Sequence, residues 1–113
     1  MKQFPHPVRE EITLPGVLHA LSDPVRLSVV YNLMGQGAEL PCHRFDVPVH
    51  KSTMSHHLHV LREAGVLRMR PEGTQNMLSV RSEDLEALFP GLLESILQAA
   101  KNCAARSNTD KER

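Results

Sequence analysis

The sequence predicts a mainly α-helical domain that carries one small β-hairpin, and three observations favour this class. Apolar residues recur at helical spacing in four separate segments. One turn-rich tetrad, residues 71–74, lies between two segments of alternating polarity, and glycine or proline marks most junctions. A chain of 113 residues is long enough for one modest core, and a domain of this size often gains stability by dimerising.

Two helices are predicted in the first third of the chain, after an N-terminal arm of residues 1–12. The first covers residues 14–21 and has a proline in its first turn. Ser22-Asp23-Pro24 is a helix start signal, and the helix that follows to about residue 34 is apolar nearly all round, which predicts a central, buried position. Residues 39–50 form a connector with at most one or two helical turns, from which three side chains can reach the core: Phe45, Val47 and Val49.

The segment 51–64 predicts a long amphipathic helix that ends at Gly65. Met54, Leu58 and Leu61 share one face at i, i+4 and i+7. The opposite side and its flank carry mostly short polar side chains and histidines, where an ordinary solvated helix usually carries Lys and Glu. Such a surface favours a recognition helix that approaches base edges in a major groove.

The last third predicts a hairpin and a terminal helix. Residues 66–70 and 75–80 alternate in polarity as two half-buried strands. Ser82 caps a helix with a wide apolar stripe up to Ala100, which Pro90-Gly91 bends or splits. We therefore divide the chain into an arm (residues 1–12), a domain with its terminal helix (13–104) and a flexible polar tail (105–113).

Charge is balanced in total but uneven along the chain. Lys plus Arg is 13 and Asp plus Glu is 13, which argues against a bulk electrostatic binder of nucleic acid. Residues 43–70, however, hold five Lys or Arg and five histidines against two acids. The basic part is thus centred on the predicted recognition helix.

The compartment is predicted from what the chain lacks. No signal peptide opens the sequence, and no apolar segment approaches the roughly 20 residues of a membrane span. Two cysteines do not make a disulfide framework. We expect a cytoplasmic, reducing environment and no membrane partner.

The order helix, helix, short helix, long helix, hairpin, helix is that of a winged helix-turn-helix domain of about five helices plus a wing. Three strings carry a closer resemblance: LSDPVRL at residues 21–27, KSTMSHHL at 51–58 and VLREAGV at 60–66. Together with the hairpin they resemble the ArsR-type bacterial transcriptional regulators over about residues 14–100.

The resemblance implies a homodimeric repressor that binds a two-fold, double-stranded DNA operator and is not an enzyme. It places the first and last helices in the dimer interface, with these residues expected there: Leu14, Val17, Leu18, Leu88, Leu92, Leu93, Ile96 and Leu97. The alternative for the last helix is that it covers only the core of its own subunit.

DNA contacts are expected from the recognition helix and the wing. Lys51 and the helix N-terminus would hold phosphate. The residues expected near base edges or phosphates are Ser52, Thr53, Ser55, His56 and His59, while Arg62 reaches the backbone or pairs with an acid. Arg70 and Gln75 flank the wing tip and contact DNA or remain solvated. His57 flanks the apolar stripe and is expected to be packed and hydrogen-bonded.

The signal that releases such a repressor is left open between a small molecule and an oxidant. Cys42 and Cys103 lie roughly where some relatives form a regulatory disulfide, although lone cysteines are most often inert fillers. No cofactor is expected. Cys42-His43 and the other histidines could supply ligands, but no spacing closes a tetrahedral metal site.

Two other function classes are weaker. An enzyme is not expected, because the sequence has neither a glycine-rich phosphate loop nor a nucleophile motif. A winged-helix module that binds a protein partner through its last helix, without DNA, remains the alternative.

Overall fold

The structure, a computed structural model, describes residues 4–36, 39–42 and 49–111, of which 104–111 are described through their backbone alone. Its elements are a 3-10 turn (Arg9–Glu11), α1 (Leu14–Leu21), α2 (Pro24–Gln36), β1 (Leu40–Pro41), α3 (Lys51–Glu63), β2 (Leu67–Glu72), β3 (Gln75–Val80), α4 (Ser82–Leu88) and α5 (Leu92–Lys111). They form two compact units, residues 1–81 and 82–113. The predicted class, mainly α with a winged helix-turn-helix order, is confirmed.

The first two helices begin where local side chains satisfy their first amides. The Thr13 hydroxyl accepts the Gly16 N–H at 3.1 Å and begins α1. Asp23 Oδ2 accepts the N–H groups of Val25 and Arg26 at 2.8 and 3.1 Å and begins α2. The start signal at residues 22–24 is therefore confirmed, and α2 continues two residues past the predicted end.

The core of the first unit is aliphatic and joins all of its helices to the sheet. Its fully buried side chains are Val17, Val29, Val30, Leu61, Val66, Leu67 and Leu78. The stripe predicted on α3 faces this core through Leu58 and Leu61, with Met54 half-buried at the margin. The polar side of α3 is consequently turned outward.

Gly65 allows the chain to leave α3 tightly. Its φ is +84°, a conformation that side-chain-bearing residues rarely adopt. A Cβ at this position would lie 2.4 Å from Cγ1 of Ile12, which is itself buried. Glycine is required here both by its dihedral angle and by the close approach of Ile12.

The sheet has three antiparallel strands in the order β1-β3-β2. The predicted hairpin is confirmed, but β2 continues through Pro71 to Glu72, two residues beyond its expected end. Proline is tolerated there because β2 is an edge strand. Strand β1 was missed because two residues, Leu40 and Pro41, carry no alternation; they pair with Leu78 and Met77. The rest of the predicted connector, residues 43–48, lies outside the described residues.

The second unit is a short helix followed by a long one. Gly91, at φ +81°, separates α4 from α5, so of the two expected effects of Pro90-Gly91, a bend or a split, the structure shows the split. Leu85 and Leu93 are buried. Helix α5 continues to Lys111 and so covers most of the segment expected to be a flexible tail, whose mobility stays a prediction. In the described ranges, every helix is too short or too polar to cross a membrane.

Candidate nucleic-acid interface

The first two turns of α3 present an exposed, acid-free surface. Lys51, Ser52, Thr53, Ser55 and His56 are all exposed. The helix begins after His50, and within the described residues no side chain caps its first amides. Amides without a cap and the positive end of the helix dipole favour a bound phosphate. The exposure of these five side chains leaves them accessible to DNA, and their contacts with it stay a prediction.

His57 anchors α3 to the start of α2. It is packed and hydrogen-bonded, as predicted: its Nδ1 lies 3.1 Å from Arg26 Nη1 and 3.8 Å from Asp23 Oδ2, and its side chain is 11% exposed. Arg26 is itself buried and donates from Nε to the Ala20 carbonyl at 2.7 Å. This network fixes the orientation of the exposed face, and no spacing in the sequence pointed to Arg26.

Asp23 contributes a negative charge to this network. Burial opposes ionisation of its carboxyl group. The N–H groups of Arg26 and Val25, together with the charges of His57 and Arg26, outweigh that effect and hold the pKa of Asp23 below its ordinary value. The carboxylate therefore serves at once as the cap of α2 and as a counter-ion for Arg26.

The second half of α3 contains the predicted contact residues His59 and Arg62. Arg62 lies on the same flank as Ser55 but is only 8% exposed, and its expected contact with the DNA backbone or an acid stays a prediction. Its Nη2 lies 3.0 Å from His59 Nδ1, its Nη1 donates to Met69 Sδ at 3.7 Å, and the ring of Phe4 covers its Cζ at 5.2 Å. His59 is half-exposed and also contacts the Glu63 carboxylate. The N-terminal arm, not solvent, thus surrounds the last turn.

The two wing residues predicted to contact DNA, Arg70 and Gln75, lie at different distances from the tip of the hairpin. Gln75 is exposed beside the tip and pairs with Glu72, whereas Arg70 lies two residue pairs further back, opposite Met77. Arg70 donates to both carboxylate oxygens of Glu39, at 3.0 and 2.6 Å, and to Glu72 at 3.1 Å. The hydrogen bonds from Arg70 lower the pKa of Glu39 below its ordinary value. A phosphate would have to displace these carboxylates to bind Arg70.

The residues expected in a dimer interface divide into two groups. Val17 is 1% and Leu93 is 7% exposed within a single chain, so each offers little surface, and their place in a dimer interface stays a prediction. Leu14 and Leu18 are 41% and 45% exposed. The four others are half-buried in the second unit: Leu88, Leu92, Ile96 and Leu97.

The cysteines lie in different units. Cys42 is half-buried next to β1, and Cys103 is exposed on α5. The proposed disulfide stays a prediction. Within the ranges that the structure describes, three or more His, Cys, Asp or Glu side chains nowhere come together as a metal site would require, and His43 lies outside those ranges.

Comparison with known proteins places this geometry in a family. No family model matches the chain. It is 33% identical over 98 residues to an uncharacterized HTH-type transcriptional regulator of Bacillus subtilis, YceK, with 85% of this chain and 93% of that protein covered. It is 36% identical over 74 residues to a second such regulator, MJ1325 of Methanocaldococcus jannaschii, with 65% and 83% covered.

Solved structures share the fold. The crystal structure of an ArsR family transcriptional regulator superimposes with a TM-score of 0.60 at 23% identity, over 73% of this chain and 90% of that one. The transcriptional repressor BigR from Xylella fastidiosa gives 0.54 at 26% identity, over 67% and 85%. The chain belongs to the helix-turn-helix transcriptional regulators, which bind DNA, and the resemblance to the ArsR type is confirmed.

Proposed function

We propose that this regulator is a homodimeric, cytoplasmic repressor that binds a two-fold operator by inserting α3 into successive major grooves. The observation that carries the proposal is the exposed surface of the first two turns of α3. It combines one cation with short hydrogen-bonding side chains and no acid, and the network of His57 holds it in a fixed orientation. A major groove accepts a helix of this kind.

The surface divides by role. Lys51 and the uncapped amides of the first turn bind a phosphate and set the position of the helix. Ser52, Thr53, Ser55 and His56 lie along the groove and contact base edges or the neighbouring phosphates. His59 contacts DNA at the edge of this surface. Gln75 at the wing tip approaches the adjacent minor groove, and Arg70 joins it after leaving its carboxylates.

The dimer supplies the two-fold symmetry. Leu14 and Leu18 lie one helical turn apart on α1, and both are more than a third exposed. Exposed leucines at this spacing form an apolar stripe that a partner would cover. We propose that two chains meet through Leu14 and Leu18 of α1 and through four residues of the second unit: Leu88, Leu92, Ile96 and Leu97.

The test is binding of the purified, reduced protein to DNA from upstream of its own gene. We expect specific binding to a two-fold site, with affinity falling about 100-fold between roughly 50 and 200 mM salt. Ser55→Ala and His56→Ala should each weaken specific binding about tenfold without changing the melting temperature. Asn32→Ala, an exposed polar residue on α2, is the matched control and should bind normally.

The outcomes separate the alternatives. Salt-dependent binding without sequence preference would contradict the operator-reading role of α3. Absence of DNA binding under all conditions would favour a module that binds a protein partner. The effector is tested in the same assay. Release of DNA on addition of an oxidant would assign the signal to Cys42 and Cys103. Unchanged DNA affinity after oxidation would leave a small molecule as the remaining candidate effector.

A further inference from the structure

Residues 4–8, which we call the strap, cross the last turn of the recognition helix and bond to segments far along the chain. His6 Nε2 accepts the N–H of Met69, on β2, at 3.0 Å. The Pro7 carbonyl accepts from Arg81 Nη1 at 2.7 Å, and the Phe4 ring lies over Arg62. Three independent contacts therefore hold the strap across the C-terminal end of α3.

The strap covers the guanidinium of Arg62 but gives it no anionic partner. Arg62 is 8% exposed, and within the described residues its Nε has no hydrogen-bond partner. The rest of the guanidinium meets only uncharged or weak partners: the Nδ1 of His59, a thioether and an aromatic face. Among the described residues, no carboxylate pairs with it. A buried guanidinium without an anionic partner is unfavourable, because desolvation is not offset. The docked strap thus leaves this arginine in need of an anion.

The strap does not close tightly over α3. A cavity of about 380 Å3 that is open to solvent lies between them and is lined by Pro5, His6, Pro7, His59, Arg62 and Glu63. The strap is therefore bound through a few contacts at the surface and is not packed into a core, which is the kind of segment that opens locally.

Arg62 lies on the DNA-facing side of the helix. It follows Ser55 by seven residues, which is almost two full turns, so the two side chains leave α3 in nearly the same direction. Ser55 is exposed, whereas Arg62 is covered by Phe4 of the strap on one side and contacts Met69 and His59 on the other. With the strap removed, both would face the same surface.

We propose that the strap is an autoinhibitory contact: it masks Arg62 in the isolated protein, and the DNA backbone displaces it when Arg62 binds a phosphate. This inference rests on the proposed DNA contact of α3 and adds a step to it. The phosphate supplies the anionic partner that the guanidinium lacks in the docked state, and the charge-assisted bond replaces a thioether and a ring face.

The Met69 amide reports the strap directly. Met69 lies on β2, which is an edge strand of the sheet. Its N–H donates to His6 of the strap instead of to β3. Hydrogen exchange measured by NMR should show it protected in the isolated wild-type protein and exchanging at least tenfold faster in the DNA complex. The β2 amides that face β3 are the internal control and should stay protected.

Variants test whether Arg62 is the group released. Phe4→Ala with His6→Ala weakens the strap without altering the charge of the neutral protein. We expect it to speed Met69 exchange and to tighten binding to non-specific DNA about three- to tenfold. The gain should vanish when Arg62→Gln is added. Val8→Ala, at an exposed position of the strap, is the matched control and should change neither readout.

Failure of this proposal is distinct from failure of the proposed function. If wild-type protein binds no DNA, the proposed function falls and the strap's role with it, although Met69 exchange still reports its docking. If DNA binds with Met69 protection unchanged, the strap proposal alone is overturned. Tightening that persists in the Arg62→Gln background would overturn it as well.

Discussion

Arg62 and Ser55 lie on one face of α3, yet one is buried and the other exposed. Part of the difference arises from Phe4 of the strap, which covers Arg62 and is about 60 positions away in the chain. The role of each basic side chain therefore depends on which acceptor or anion it meets. Arg62 meets a ring, a sulfur and the Nδ1 of His59, whereas Arg70 meets two carboxylates.

The first residue-scale prediction concerns pH. Burial, and then the charges of Arg62, Arg81 and Arg68, lower the pKa of His6 below its ordinary value of 6.5. The docked strap needs neutral His6, because Nε2 accepts a hydrogen bond; its docking is complete above about pH 6.5 and weakens as the pH falls through the lowered pKa.

The measurement is Met69 amide exchange from about pH 7.5 to 5, corrected for the intrinsic rate. His59 and Glu63 also line the cavity, so a variant that removes only the titration at residue 6 is needed. His6→Asn retains an acceptor without a titrating ring and should abolish the pH dependence. Protection that rises as the pH falls would contradict the assignment.

The second residue-scale prediction concerns the wing. Glu39→Gln removes the carboxylate that binds Arg70 through two hydrogen bonds and should free the guanidinium for phosphate. We expect two- to fivefold tighter DNA binding at low salt, on the order of one added phosphate contact, with the gain fading as salt rises. Because the pair is largely exposed, thermal stability should change little.

A charge-matched variant separates this effect from bulk charge. Glu83→Gln removes one negative charge from the first turn of α4, which belongs to the second unit. Equal tightening by Glu83→Gln would show that net charge, and not the release of Arg70, is responsible. Filter-binding or fluorescence-anisotropy titrations over a range of salt concentrations would distinguish the two.

At the scale of the element, the end of α3 depends on Gly65. Ala at this position must adopt a positive φ and place its Cβ 2.4 Å from Ile12 Cγ1. We expect Gly65→Ala to lower the free energy of unfolding by about 2–4 kcal/mol, the sum of the left-handed backbone cost and the displacement of a core side chain.

Gly73 provides the matched control for this prediction. Its φ is +63°, but a Cβ there would meet nothing within 4 Å. Gly73→Ala should lower the free energy of unfolding only by the cost of the left-handed backbone conformation, about 1–2 kcal/mol. Urea denaturation of both variants checks the difference, and equal losses would mean that Ile12 moves aside without cost.

At the scale of the whole molecule, the two-fold operator requires a dimer. Leu18 is 45% exposed on α1, so Leu18→Glu should leave the monomer fold intact while placing a charge in the proposed interface. We expect the dimer dissociation constant to rise at least about 100-fold, since a buried unpaired charge is unfavourable.

Sedimentation analysis over a range of concentrations would measure this effect. Tyr31→Glu is the control, because Tyr31 is also exposed, at 39%, but lies on α2. It should sediment as the wild type does. A Leu18→Glu protein that remains dimeric would place the interface elsewhere on the chain.

The sequence by itself determined the order of the main helices and the hairpin, the start signal at Ser22-Asp23-Pro24, the bend or split at Pro90-Gly91 and the polar face of α3. These features depend on residues that are close in sequence, where helical periodicity, capping and turn preferences operate. The ArsR-type strings lie in the same local segments.

Only the tertiary structure decided which of the predicted side chains reach the surface. Arg62 was expected to reach the DNA backbone or an acid, and the resemblance implied a dimer interface that includes Val17 and Leu93, yet all three are buried in the single chain. Periodicity gives the direction of a side chain and not what covers it. The covering contacts of the strap span 63 and 74 residues of sequence, from His6 to Met69 and from Pro7 to Arg81. Such long-range packing leaves no local pattern from which it could be predicted.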